Sequence, residues 1–237
     1  MKPRILFMMH YMELGGAEQA LLGLLNALDY NKVDVDMFVY WHHGELMKYI
    51  PKEVNLLPEI DKYAMLEQPI KTCLKKGFVS VAAARLWAKL MGRMTKCESF
   101  STVVYKSNFT QKILPQINPK VEYDLAVSFL TPHTYVLKKV HAKKKVGWIH
   151  TDYSIFPINV KCELPIWSGL DNIISISPNV TETFLKIFPS LKDKIVEIEN
   201  IMSPAMVRQR AEEISFNNIE NELITHRGVI LLSIGRY

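Results

Sequence analysis

A pair of glycines ahead of a helix and a histidine at the end of a strand are the residues whose types and positions could do chemistry in this chain. The segment Met9-His10-Tyr11-Met12-Glu13-Leu14-Gly15-Gly16-Ala17-Glu18-Gln19 links an apolar run to a stretch with helical periodicity. Lacking Cβ atoms, Gly15 and Gly16 let backbone N–H groups approach a phosphate closely, and the start of a helix favours negative charge. The third glycine of a G-x-G-x-x-G dinucleotide fingerprint is missing, and an ordinary strand-to-helix turn has the same composition. The second segment is Gly147-Trp148-Ile149-His150-Thr151-Asp152. Ligands of open parallel sheets gather at the carboxyl ends of strands. There His150 can donate to a sugar hydroxyl or to a developing charge; a histidine satisfied within the fold is the equal alternative.

The remaining titratable groups point away from metal and nucleophile chemistry. His42 and His43 are adjacent, and on a strand they would face opposite ways. His10 sits in the glycine turn, and His133, His141 and His226 have no partner at ligand spacing. No G-x-S-x-G elbow is present. Cys73, Cys97 and Cys162 are far apart with no C-x-x-C, which favours a reducing compartment. The expectation is no protein-bound metal and no resident cofactor.

A third pattern concerns charge. Between Lys62 and Lys120 eleven basic residues meet two acids, Glu67 and Glu98, an excess of nine positive charges; the rest of the chain, with 18 basic and 22 acidic residues, is slightly acidic. A local basic segment points to a local anionic partner. Within it, Arg85, Lys89, Arg93 and Lys96 share one helical sector over Phe78–Lys96. Val79, Ala83, Leu86, Leu90 and Met94 share another, widened by Trp87 and Met91. A basic amphipathic helix carrying Trp suits an anionic membrane surface through Arg85, Trp87, Lys89, Arg93 and Lys96. The plainer alternative is that the apolar face packs on the sheet while the basic stripe is solvated. Trp87, Phe100, Tyr105 and Phe109 interleave with the basic residues, but no nucleic-acid motif accompanies them, and a nucleic-acid partner is not expected.

The elements that must position these residues follow from the apolar runs. Ile5–Met9, Leu125–Phe129, Val146–Ile149, Ile173–Ile176 and Ile195–Ile198 are short enough to be strands. Val33–Tyr40 begins as alternating Val-Asp-Val-Asp, like a strand at a sheet edge. Helical stretches follow at Ala17–Leu28, Thr134–Val140, Leu164–Leu170 and Asn179–Ile187, the last started by Ser177 and Pro178. Alternating strands and helices predict an α/β, Rossmann-like, doubly wound parallel sheet. The basic segment, about residues 62–120, interrupts it as a helical insertion. With 237 residues, 49% of them apolar, there is ample material for a core. Residues 1–205 are expected to form this domain. Residues 206–237 are expected to be a linker and one further strand, Val229–Ile234, ending in Gly235-Arg236-Tyr237.

In order and spacing these segments resemble the N-terminal half of retaining glycosyltransferases of the GT-B fold, in the family-4-like group. The matching residues are Leu14-Gly15-Gly16-Ala17-Glu18 after the first strand, Trp148-Ile149-His150-Thr151, Ile174-Ser175-Ile176-Ser177 followed by Val196-Glu197-Ile198-Glu199-Asn200-Ile201, and Leu232-Ser233-Ile234-Gly235-Arg236. The resemblance implies transfer of a sugar from a nucleotide diphosphate sugar to a glycan or lipid-linked acceptor with retention of configuration, in surface polysaccharide or glycolipid synthesis. It implies that His150 lies near the reacting sugar and that Gly15 and Gly16 face the donor diphosphate or the transferred sugar. It further implies that Arg236 binds the diphosphate and that Tyr11 and Glu13 contact the acceptor. A cytoplasmic place, peripheral on the inner face of the cytoplasmic membrane, goes with it. The family's Glu-x7-Glu motif and most of its nucleotide pocket are missing, so this chain alone is expected to turn over little. A non-catalytic Rossmann-like module that binds a glycan or lipid is the alternative.

Overall fold

Apolar runs of a few residues, each bounded by a turn, become the inner strands of one parallel sheet in the computed structural model, which describes residues 2–94, 100–213 and 228. The strands are β1 (Arg4–Met9), β2 (Asp34–Val39), β3 (Asn55–Leu56), β4 (Tyr123–Ser128), β5 (Ala142–Ile149), β6 (Asn172–Ser175) and β7 (Ile195–Glu197). They lie in the order β3-β2-β1-β4-β5-β6-β7, all parallel. Because the order runs outward in both directions from β1 and β4, right-handed crossovers place helices on both faces. The fold is therefore α/β and Rossmann-like. Burial on both faces explains why Leu6–Met9 and Val35–Val39 are continuously buried.

The helices are α1 (Gly16–Ala27), α2 (Asp61–Glu67), α3 (Ile70–Lys75), α4 (Val79–Met94), α5 (Phe100–Thr110), α6 (Thr134–Lys139), α7 (Val160–Ser168), α8 (Pro178–Ile187) and α9 (Pro204–Glu213). The expected start of α8 is present: the Ser177 hydroxyl accepts a hydrogen bond from the Val180 N–H at 3.3 Å, with Pro178 in the first turn. Compact packing divides the chain between Met202 and Ser203; α9 lies in the second unit. Val229–Ile234 and Arg236 lie outside the described residues, as do Lys96 and Cys97.

Two expectations are altered by the packing. Strand β2 is not an edge, since β3 pairs with it, Asp36 opposite Asn55. Asp36 is buried and sits in a polar clamp at the amino-terminal ends of the strands. Arg4 pairs with it at 2.9 Å, the Tyr123 hydroxyl donates to it at 2.6 Å, and the Asn55 amide donates at 2.9 Å. In the Val-Asp-Val-Asp alternation Asp34 is exposed, while Asp36 is a buried carboxylate satisfied by donors, the Asn118 amide at 3.5 Å among them.

The second change concerns α4. Its packed side is made of small residues, Val81, Ala82, Ala88 and Gly92, which let it lie close along α5. The stripe of large apolar residues faces outward, against the plainer alternative that it packs on the sheet, with Leu86, Trp87, Leu90 and Met94 all exposed. Arg85 is not on the solvated stripe either. Its guanidinium turns inward and donates to the Met65 and Gln68 carbonyls at the carboxyl end of α2, where helix carbonyls carry partial negative charge. Lys89 and Arg93 remain exposed. Helix α2 itself belongs to the main core, with Tyr63, Ala64, Met65 and Leu66 all buried.

Candidate functional site

Strands β1 and β4 are the neighbours from which the sheet order diverges, so the turns leaving them part and open a crevice at their carboxyl ends. A cavity of about 180 Å³ occupies that place. It is lined by His10 after β1, Leu130 and Thr131 after β4, Trp148 and Ile149 at the end of β5, and His150, Thr151 and Tyr153 beyond it. The sheet therefore brings together His150, singled out from sequence, and His10, which was not.

His10 is held from two sides. Its ring stacks on Tyr40 with centroids 4.9 Å apart, and Nδ1 lies 3.4 Å from the Glu67 carboxylate. Glu67 is in turn 3.6 Å from the Lys106 ammonium. Burial works against ionisation of Glu67, but His10, Lys106 and Arg85 outweigh it and hold the carboxyl at about 2. Glu67 is thus an anion beside the His10 ring, 3.4 Å from Nδ1, while the His10 Nε2 is buried without a hydrogen-bond partner. One feature of the sequence could have flagged this group: Glu67 is one of two acids among eleven bases.

His150 is a neutral group. Burial pushes it down to about 4, only slightly offset by the Phe129 backbone. Its ring lies 4.5 Å from that of Phe129 and parallel to Trp148 at 6.1 Å. Its Nε2 is buried and unpartnered, and so is the Trp148 indole Nε1. Three unpartnered nitrogens on the lining of one small crevice are unusual, because each buried unsatisfied group costs about 1–3 kcal/mol. A neutral imidazole, an indole N–H and the hydroxyl of Thr131 or Thr151 suit an uncharged, hydroxyl-bearing ligand, which both donates and accepts. Beneath the crevice His133 is fully buried against Trp167 at 4.4 Å, with neither ring nitrogen hydrogen-bonded.

The glycine turn offers less to a phosphate than its composition suggests. Gly15 caps α1, but a Cβ there would fall 2.1 Å from the Glu18 carboxylate, so that first-turn acid already lies against the helix start. Burial pushes the Tyr11 hydroxyl up, with the negative charge of Glu67, Glu18 and Glu13 adding to it. A diphosphate would meet that charge; sugar hydroxyls would find acceptors. Glu13 lies 3.5 Å from His43, which stacks on Trp41 at 4.0 Å, and together with Leu14, Gly44 and Glu45 they line an open recess beside the turn.

The glycine on which this turn depends is Gly44, which sequence reasoning passed over. It has φ +110°, and a Cβ there would lie 2.2 Å from the Met12 carbonyl. Met12 donates to the His43 carbonyl and accepts from Leu46, both at 2.8 Å, so the two loops are tied where Gly44 passes. Gly44→Ala is therefore expected to cost about 1–3 kcal/mol. Gly16→Ala, with nothing within 4 Å of the added carbon, should be nearly neutral. Urea unfolding of the two variants checks this, and equal losses would show that the backbone at Gly44 can relax.

Among the described residues no group of three or more His, Cys, Asp or Glu side chains is placed to hold a metal ion, and no helix is long and apolar enough to cross a membrane. Compared with protein-family models and with characterised proteins, the chain shows no match.

Proposed function

We propose that this chain is the acceptor-side half of a retaining glycosyltransferase, handling a sugar carried by a nucleotide diphosphate and a glycan or lipid-linked acceptor. The observation that carries this is the crevice between β1 and β4, a small cavity lined by His10, His150 and Trp148, each of which holds a buried nitrogen without a hydrogen-bond partner. In this scheme the transferred sugar sits with its hydroxyls on those nitrogens. The neutral His150 ring hydrogen-bonds the sugar without adding charge, and Glu67 keeps His10 in register. The carboxylates around Tyr11 accept hydroxyls of the sugar or the acceptor, with Tyr11 and Glu13 on the acceptor side. Gly15 and Gly16 border the sugar rather than its diphosphate. Charge developing on the departing diphosphate needs a cation; the family resemblance gives that role to Arg236, which lies outside the described residues. Work at the inner face of the cytoplasmic membrane fits the exposed apolar stripe of α4.

Titration of the full chain with nucleotide diphosphate sugars and with simple glycosides, followed by the imidazole signals of His10 and His150, tests this. Both rings should shift, and His150→Ala should weaken binding about tenfold, the loss of one buried hydrogen bond. If neither ring responds to any sugar, the proposal fails. Glycoside binding without nucleotide-sugar binding fits both readings; sugar transfer when the chain is assayed together with a nucleotide-binding domain supports the transferase, and its failure there favours the non-catalytic glycan-binding module.

A further inference from the structure

The helical insertion holds a second cavity, of about 360 Å³, between α3, α4 and α5. Among the described residues its lining is Ile70, Arg85, Lys89, Arg93, Thr102, Val103 and Lys106, four cations and no acid. The two inner cations are built in. Arg85 is fastened to the end of α2, and the Lys106 side chain is 16% exposed. Burial and the nearby Arg85 push the Lys106 ammonium down, and Glu67 only partly restores it. Glu67 is the acid that faces both, and it also serves His10. Among the described residues no carboxylate lies within ion-pair distance of Arg85, Lys89 or Arg93. The cavity therefore carries an excess of fixed positive charge in a partly desolvated place, where an anion gains most.

Beside it runs the exposed stripe of α4. Leu86, Trp87, Leu90 and Met94 are 53%, 50%, 47% and 71% exposed, and Trp87 meets the half-exposed Phe109 edge-on at 6.2 Å. On the helix circumference Lys89 and Arg93 fall between this stripe and Arg85, so they stand at the border of the apolar surface and the cavity. An anion that enters at this border while apolar side chains are covered has a charged phosphate and a hydrocarbon neighbour.

We propose that the cavity is a headgroup pocket for the phosphate of an anionic phospholipid, filled when the α4 stripe enters the bilayer interface. This rests on the reading that the chain works at a membrane, and goes beyond it by naming a discrete phosphate site where a diffuse basic patch would also attract. Arg85 and Lys106 would form the floor, and Lys89 and Arg93 the rim.

The test is cosedimentation of the full chain with phosphatidylcholine vesicles, with and without phosphatidylglycerol. Val103→Trp fills the cavity without changing charge and should weaken binding to the anionic vesicles about tenfold. Lys89→Gln with Arg93→Gln, both at the exposed rim, should weaken it at least about fivefold more than Lys71→Gln with Lys75→Gln, which removes the same charge outside the cavity. The second comparison stands if the tryptophan variant does not fold. Equal losses from the two double variants, with folded Val103→Trp unchanged, overturn the pocket and leave the membrane reading in place. Failure of the wild-type chain to bind any vesicle overturns both. Binding of inorganic phosphate in solution without vesicle binding assigns the cavity to a soluble phosphate and overturns the lipid. Salt-sensitive binding to oligonucleotides in place of vesicles also overturns it.

Discussion

Asp36→Ala is expected to lower the unfolding free energy by about 3–5 kcal/mol, the cost of breaking a buried ion pair by removing one partner. Asp36 is 2% exposed and joins four strands through one carboxylate: its own β2, Arg4 on β1, Asn55 on β3 and Tyr123 on β4. Deleting it leaves the Tyr123 hydroxyl and the Asn55 amide without their acceptor. Arg4 is 39% exposed and can recover water, which places the loss toward the lower end of the range. Asp36→Asn keeps the shape and one acceptor oxygen, so about half the loss is expected. Urea unfolding near neutral pH measures both. A loss under about 1 kcal/mol in the alanine variant would mean that the clamp contributes nothing net, as some buried pairs do not. The clamp sits at the strand ends opposite the crevice, so folded Asp36→Asn should leave the His10 and His150 response to sugars unchanged. That contrast separates the clamp that stabilises the sheet from the edge proposed to bind sugar.

Much of the sheet was legible because strands buried on both faces must be apolar throughout. Ile5–Met9, Leu125–Phe129 and Val146–Ile149 needed no partner to be recognised. Strand β3 was not legible: two residues, Asn55 and Leu56, carry no periodicity, and only the tertiary pairing to Asp36 and Met37 makes them a strand. Helix α4 shows a deeper limit. Its period was plain, but period does not say which face packs. Large apolar side chains on one face invite the expectation that this face is inside; here the buried residues are Val81, Ala82, Ala88 and Gly92 instead. In the crevice, His150 could be found because a strand end announces it. The His10–Glu67–Lys106 group joins a strand end to two helices far along the chain, and no local pattern encodes that meeting. Gly15 and Gly16 lie where the chain enters α1, and the Glu18 carboxylate three residues beyond Gly15 already lies against that helix start.

Between pH 7 and about pH 4.5 the wild-type chain should lose only about 2 kcal/mol of stability, because buried groups of opposite sense titrate in the same window. Burial pushes His133 down to about 3, with His10 and His150 adding to it, and burial pushes His150 down to about 4. Both bind protons more readily when unfolded, so each begins to destabilise the fold as pH falls below about 6.5 and reaches roughly 2–3 kcal/mol by pH 4.5. Glu163 acts the other way. It is 1% exposed, and burial pushes it up to about 7 against the opposing effect of the Trp167 indole. Its folded form holds the proton that the unfolded chain releases, so stability rises by roughly 2–3 kcal/mol as pH falls from 7 toward 4.5. Removing one member exposes the other. His133→Phe, which keeps a ring against Trp167, should be almost level across the window. Glu163→Gln should lose about 5 kcal/mol, twice the wild-type change. Urea midpoints at the two pH values give these slopes, whatever offset each substitution adds to absolute stability. If His133→Phe loses as much as the wild type, His133 is charged in the fold and has a partner, and the crevice above it would then sit on a cation, a floor suited to an anion rather than to a neutral sugar.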